Sequence, residues 1–198
     1  MFQWNYKTER QVNPFVKELV KRVPNCKGAK LLDLGCGDGR DADFFFKEGF
    51  IVTAVDLAEE GIRSLQERIP QIRAFCMDIR DVAFPDDSFD VIYAHLSVQY
   101  FDDATTRQIF RTMHRMLRSG GHLFVKCKST EDPLFGQGEK VGENMYRYGK
   151  TNTVMIRHFF TEDYMRDLLE GFSEKEISSS KAKYDGKESA FVDGIAVK

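Results

Sequence analysis

The residues with the most specific chemistry lie in the run Leu31-Leu32-Asp33-Leu34-Gly35-Cys36-Gly37-Asp38-Gly39-Arg40, where an apolar strand passes into three alternating glycines. Glycines at the carboxyl end of a parallel strand let the backbone come close to a ligand. A second apolar run, Ile51-Val52-Thr53-Ala54-Val55, ends in Asp56, whose two oxygens suit the two hydroxyls of a ribose. The pair of features points to an adenosine-bearing cofactor. The nicotinamide fingerprint asks for glycine at its first, third and sixth positions. Gly35 and Gly37 fill the first two, Arg40 stands at the sixth, and the last glycine comes one residue early, at Gly39. No Gly-Lys-Ser or Gly-Lys-Thr follows, so a Walker-type phosphate loop is absent.

Elements that alternate along the chain must position these residues. Apolar periodicity predicts a first helix over 13–23, stopped by Pro24, a strand over 30–34, a helix over 38–48 ended by Gly49, and a strand ending at Asp56. The Phe44-Phe45-Phe46 run reads as core within the second helix. A helix over 59–69, strands over 72–77 and 89–94, a long helix over 104–117 ended by Gly120-Gly121, and a strand over 122–127 follow. Such alternation predicts an α/β, Rossmann-like, doubly wound sheet, mostly parallel and covered on both faces. The C-terminal part changes style. Thr161 caps a helix over 162–170, and two strand-like runs, 174–184 and 189–197, joined by Asp185-Gly186-Lys187, predict an antiparallel hairpin. Between them, 129–160 carries four glycines and little periodicity, and connections of that length are functional or disordered.

Composition sets the frame. A chain of 198 residues with 42% apolar residues and a net charge of −2 predicts one soluble domain over 1–198, with no global attraction to nucleic acid or acidic membrane. No apolar run approaches membrane-spanning length, and Met1 to Lys7 lacks a signal peptide's apolar core, so the expected location is cytoplasmic. Cys26, Cys36, Cys76 and Cys127 show no metal-type spacing and read as reduced thiols, with no metal site expected.

Taken together, these residues resemble the class I S-adenosylmethionine-dependent methyltransferases. Leu32-Asp33-Leu34-Gly35-Cys36-Gly37-Asp38-Gly39 is similar to the family's first motif, and Asp56 to its ribose-binding acid. Asp78-Ile79 is similar to its adenine-contacting pair, Phe89-Asp90-Val91-Ile92 to its fourth strand, and Leu117-Arg118-Ser119-Gly120-Gly121-His122-Leu123 to the turn before its fifth. The resemblance implies a seven-stranded methyltransferase fold, an enzyme, S-adenosylmethionine as cofactor, and cofactor contacts at Asp33, Gly35, Cys36, Gly37, Gly39, Asp56, Leu57, Asp78, Ile79 and Ala94. Each acid also has a plain structural reading: Asp33 as a satisfied strand-end carboxylate, Asp56 and Asp78 as caps. Within the family, the likeness is to compact small-molecule members of the tellurite-resistance and thiopurine type. Tyr6-Lys7-Thr8-Glu9-Arg10 resembles the former's cofactor lid, which adds Tyr6 and Arg10 and makes 1–24 a lid and helix.

The implied reaction moves a methyl group to a small-molecule acceptor by in-line displacement. Acceptor candidates lie after the fourth and fifth strands: His95, Ser97, Gln99 and Tyr100, with Tyr146, Arg157 and His158 from 129–160, the expected substrate-side insertion and lid. His95, Tyr100 and His158 are the weak catalytic candidates, and a base is needed only where the acceptor must lose a proton. RNA or protein acceptors and a non-catalytic cofactor-binding role are the alternatives. Nucleic acid is disfavoured, with basic residues at 17–22 and at Lys126 to Lys128 as its remaining support.

Overall fold

The computed structural model describes residues 13–149, 155–184 and 186–198. Tyr6, Arg10, the rest of 1–12 and Asp185 of the hairpin turn lie outside the described residues.

Helix α1 (Pro14–Arg22) starts at Asn13, whose side chain accepts from the Phe15 amide at 2.9 Å, and buries Phe15, Val16 and Leu19. Strand β1 (Lys30–Leu34) leads to α2 (Arg40–Lys47), β2 (Ile51–Asp56), α3 (Glu59–Arg68) and β3 (Arg73–Cys76). A 3₁₀ turn over Ile79–Asp81 precedes β4 (Phe89–His95), and another over Val98–Tyr100 precedes α4 (Asp103–Met116) and β5 (Leu117–Lys128). Short strands β6 (Glu139–Gly142), β7 (Met145–Tyr148) and β8 (Met155–His158) come next, then α5 (Glu162–Leu168), β9 (Glu174–Tyr184) and β10 (Lys187–Val197).

The main sheet has seven strands in the order β3-β2-β1-β4-β5-β10-β9. The first five are mutually parallel, and β10 runs antiparallel to both β5 and β9. The central strands are apolar on both faces because both are covered. On one face Phe15 and Leu19 of α1, Ala42 and Phe45 of α2, and Ile62 and Leu65 of α3 pack against Leu31, Val52, Val91 and Phe124. On the other, Ile109, Phe110, Met113 and Met116 of α4 and Met165 of α5 pack against Leu32, Ile92, Leu123 and Val192. The expected α/β sheet with its antiparallel ending is therefore present, and Phe45 is fully buried as expected.

Two expectations are corrected. Gly120-Gly121 does not end α4: the helix stops at Met116, and Leu117–Lys128 is one strand that carries the glycines. Leu117 already pairs with Phe89, and the C-terminal residue holds the pair of glycines, through Gly120 N to Lys198 O at 2.8 Å and Lys198 N to Gly121 O at 2.9 Å. A partner so distant in sequence leaves no local signal. The stretch 129–160, read as aperiodic, instead contains a three-stranded antiparallel sheet in the order β6-β7-β8. Its ends are tied side by side: Thr130 N donates to Phe160 O at 3.2 Å, and Phe160 N to Lys128 O at 2.8 Å. The strands are four residues each, too short to print a period of two above the turn residues around them.

Candidate cofactor and acceptor site

Strands β1 and β4 are neighbours, but the chain leaves β1 toward β2 and leaves β4 toward β5. Connections that depart in opposite directions open a crevice at the carboxyl ends of the two strands, the usual ligand position in open α/β sheets. Gly35, Gly37 and Gly39 all have positive φ at its mouth. Gly35, at φ +90°, has no room for a side chain, since a Cβ there would stand 2.2 Å from Cβ of Ser97. Ser97 in turn ties the end of β4 to β1, donating to Leu34 O at 2.5 Å. Gly61 plays a matching part from α3, where a Cβ would meet Gly37 O at 2.4 Å. The glycine turn is thus clamped between β4 and α3 with its backbone bare.

Asp56 ends β2 beside this turn. Its Oδ2 accepts from Gly37 N at 2.7 Å and its Oδ1 from Ala58 N at 2.8 Å. A carboxylate oxygen has two lone-pair sites, so each keeps one for a ligand hydroxyl. The carboxylate that organises the turn is therefore also aimed across it. Asp33, two residues before Gly35, is 1% exposed, and its Oδ2 has no hydrogen-bond partner. Burial, then the negative neighbours Asp41 and Asp56, hold its carboxyl well above the usual carboxylate range. An orphaned acceptor this close to the crevice fits a cationic or hydrogen-bonding ligand group. Leu57 is 64% exposed on the lip, Ile79 is half-buried, and Ala94 is fully buried at the end of β4. Asp78 caps the 3₁₀ turn, accepting from Arg80 N at 2.8 Å, and pairs with the Arg80 guanidinium at 2.6 Å, which holds its carboxyl below the ordinary range.

Beside the crevice lies a polar group that the sequence did not advertise. Tyr93, buried in β4, donates to Asp41 Oδ2 at 3.0 Å, and Arg40 Nε meets Asp41 Oδ1 at 2.8 Å. Next to Tyr93, the His95 ring stacks at 6.1 Å, and its Nε2 is hydrogen-bonded to the Asn13 amide. Burial brings the His95 pKa down to about 4, so the ring is neutral and already partnered. His158 is 4% exposed, packed on Phe160 and Tyr164, and burial brings it too to about 4. Neither imidazole is a base poised near neutral pH. Tyr100 has its phenol pushed up by burial.

Lys126 and Lys128 need correction as a basic surface. Lys126 pairs with Asp193 at 2.5 Å and Lys128 with Asp132 at 2.7 Å, with lysine side chains 11% and 8% exposed. Lys128 also donates to Ser189 Oγ at 2.7 Å, and Arg22 is paired with Glu18 and Glu176. Lys126 and Lys128 are thus matched inside the protein and Arg22 is matched at the surface, while Lys17 and Lys21 are exposed. A shallow cleft of about 340 Å³ between Lys27, Asp90, Arg118 and His122 lies at the amino ends of the strands, opposite the crevice. Its acid Asp90 already holds Arg118 and the Lys30 amide. Among the described residues no three metal-ligating side chains converge, and no helix is long and apolar enough to cross a membrane.

Comparison with known proteins agrees with this geometry. Residues 31–121, from β1 into β5, match the family model of a methyltransferase domain. The chain is 31% identical over 197 residues to phosphoethanolamine N-methyltransferase 1 of Arabidopsis thaliana, covering 85% of this chain and 39% of that one. It spans about half, 52%, of another curated relative, so it corresponds to part of each. Among solved structures, 1,6-didemethyltoxoflavin-N1-methyltransferase of Burkholderia thailandensis, with bound 1,6-didemethyltoxoflavin and S-adenosylhomocysteine, superposes with a TM-score of 0.71 at 20% identity over 94% of this chain and 77% of that one. The cyclase SpnF superposes at 0.68 with 16% identity over 93% and 80%. Likeness at such identity speaks for the fold, and one fold hosts different chemistries. Residues 31–121 thus match a methyltransferase domain, whereas the superpositions speak for the architecture alone.

Proposed function

We propose that this chain transfers a methyl group from S-adenosylmethionine to a small-molecule acceptor. The observation that carries the reading is the crevice between β1 and β4, where a clamped glycine turn faces a carboxylate that retains a free lone pair on each oxygen. Asp56 then accepts from the two ribose hydroxyls, and the bare backbone of Gly35 to Gly37 lies along the amino-acid end. The buried Oδ2 of Asp33 gains the partner it lacks from that same end. Leu57 covers one adenine face from the lip, with Ile79 opposite and Asp78 at the adenine edge.

S-adenosylmethionine supplies an already activated methyl group. The work left to the chain is to align the acceptor and exclude water, and alignment contributes roughly 7–11 kcal/mol at its best. Neutral, buried His95 and His158 agree with a reaction that proceeds by positioning rather than by a strong base. The named relatives methylate phosphoethanolamine and a toxoflavin precursor, which supports a small acceptor.

A non-methylating cofactor holder is the second reading, favoured by the cyclase that shares the fold. Titration with S-adenosylhomocysteine, S-adenosylmethionine and nicotinamide dinucleotides separates these from the dinucleotide alternative. Melting temperature rises with the two sulfur compounds only, as a native-state ligand requires. A flat response to both removes the proposal. A methyl-label screen over thiols, amines, phenols and carboxylates then distinguishes enzyme from holder.

A further inference from the structure

We propose that Arg157 anchors an anionic group of the methyl acceptor, a carboxylate or a phosphate, at the edge of the crevice, an inference that rests on the methyl-transfer reading above. Three described arginines are half-buried: Arg40, Arg107 and Arg157. Arg40 is paired with Asp41 at 2.8 Å and Arg107 with Asp103 at 3.0 Å. Among the described residues no carboxylate pairs with Arg157. Its guanidinium instead lies 4.0 Å from the centre of the Tyr148 ring. Such stacking uses the flat face of the group and leaves its in-plane N–H fork for an oxyanion. A partly desolvated cation without a counter-charge costs free energy, and a ligand that brings the charge removes that cost.

The ladder explains the placement. Arg157 stands opposite Tyr146 in the β7–β8 pair, and Tyr148 is the next residue on the same face. Strand β8 packs against the 3₁₀ turn Val98–Tyr100, which follows β4 directly. Burial raises the phenols of both Tyr100 and Tyr148, and the Arg157 cation opposes that rise in each, so the guanidinium lies within electrostatic reach of the two rings. Gln99, next to Tyr100 in that turn, accepts from Lys128 N through its Oε1 at 2.7 Å. Among the described residues, Lys126 and Lys128 are each matched, by Asp193 and Asp132.

The test uses ¹⁵N-labelled protein saturated with S-adenosylhomocysteine. The Arg157 Nε–H resonance is assigned by its loss in Arg157→Lys, and sodium phosphate, sodium acetate and sodium chloride are titrated at matched ionic strength. A saturable shift with phosphate or acetate and none with chloride is expected, and the responding salt tells which oxyanion fits. Equal response to chloride, or none to either oxyanion, overturns the anchor. In the methyl-label screen each acid is paired with its primary amide and each phosphate monoester with its alcohol. The anionic member is the expected substrate, and Arg157→Gln raises its KM by about ten-fold or more with little change in kcat or in S-adenosylhomocysteine affinity. Arg157→Lys recovers part of the loss. Equal use of the neutral member, or an unchanged KM in Arg157→Gln, also overturns the anchor. Failure of the wild-type protein to bind S-adenosylhomocysteine overturns the underlying reading and the anchor with it, whereas intact binding without an oxyanion response overturns the anchor alone.

Discussion

Asp56 and Lys128 stand on opposite sides of one crevice and are held in place differently. Asp56 takes its donors from Gly37, 19 residues away, and from Ala58, two residues on. Both donors to this carboxylate are backbone amides close to it in the chain, although Ser97, after β4, and Gly61 of α3 also clamp the turn. Lys128 meets Ser189, 61 residues later, and Asp132, whose Oδ2 also accepts from Ala190 N at 3.0 Å. That network exists only once β10 has paired with β5 and the ends of the insertion have closed. The Asp56 carboxylate is held by donors near it in the chain, and the Lys128 ammonium by partners that the sheet brings together from far along it. A local motif tolerates change elsewhere in the chain, whereas a network closed across long loops is exposed to the loss of any member.

The comparison breaks most sharply at Asp132. Asp132→Ala leaves the Lys128 ammonium buried without its partner, and the expected loss of stability is about 3–5 kcal/mol. Urea unfolding measures it. If the two sides are separable, S-adenosylhomocysteine affinity at a temperature where the variant is folded stays at the wild-type value; a parallel fall in affinity would join them. Asp56→Ala is the reciprocal change. It removes charge-assisted bonds to the ligand and weakens S-adenosylhomocysteine binding by about 1.5–3 kcal/mol in calorimetry. Unchanged affinity would end the ribose assignment.

Per pH unit, the slope expected from each of the two buried histidines is smaller than either effect. His95 and His158 have pKa values lowered by burial from 6.5 to about 4. The unfolded chain therefore binds more protons than the native one between those values, so the penalty is absent above pH 6.5 and stability falls as pH drops toward 4. Each histidine contributes a slope of about 1.4 kcal/mol per pH unit. His158→Gln removes one share of the slope relative to wild type, and an identical slope in the variant would show that His158 is not buried neutral.

Legibility followed the same division. The strands before and after the glycine turn were readable because their apolar runs are flanked by glycine, proline and acids, and β1 and the end of β2 fall where expected. Thr161 was readable as a cap because capping is a short-range bond, here from Tyr164 N at 3.1 Å. The plain reading of Asp78 as a cap describes its geometry in the free protein, beside its candidate role at the adenine edge. What escaped the sequence has distant partners. Tyr93 read as one more strand residue, yet it meets Asp41 across 52 positions. Lys126 and Lys128 read as surface charge because Asp193 and Asp132 come to them only through the fold. The β6–β8 sheet escaped because its short strands are stabilised by one another and by a tie at both ends.

The amino-acid sequence alone determined the alternating α/β architecture, the bare turn at Gly35 to Gly39 and the acid that faces it, since helix periods, strand runs and backbone conformation are properties of neighbouring residues. Tertiary structure decided which cations are matched, which histidines are neutral and that β6, β7 and β8 pair into a sheet. Charge and burial depend on what the chain brings near each group, and for Lys128, His158 and Arg157 those neighbours are supplied by the packing of distant strands.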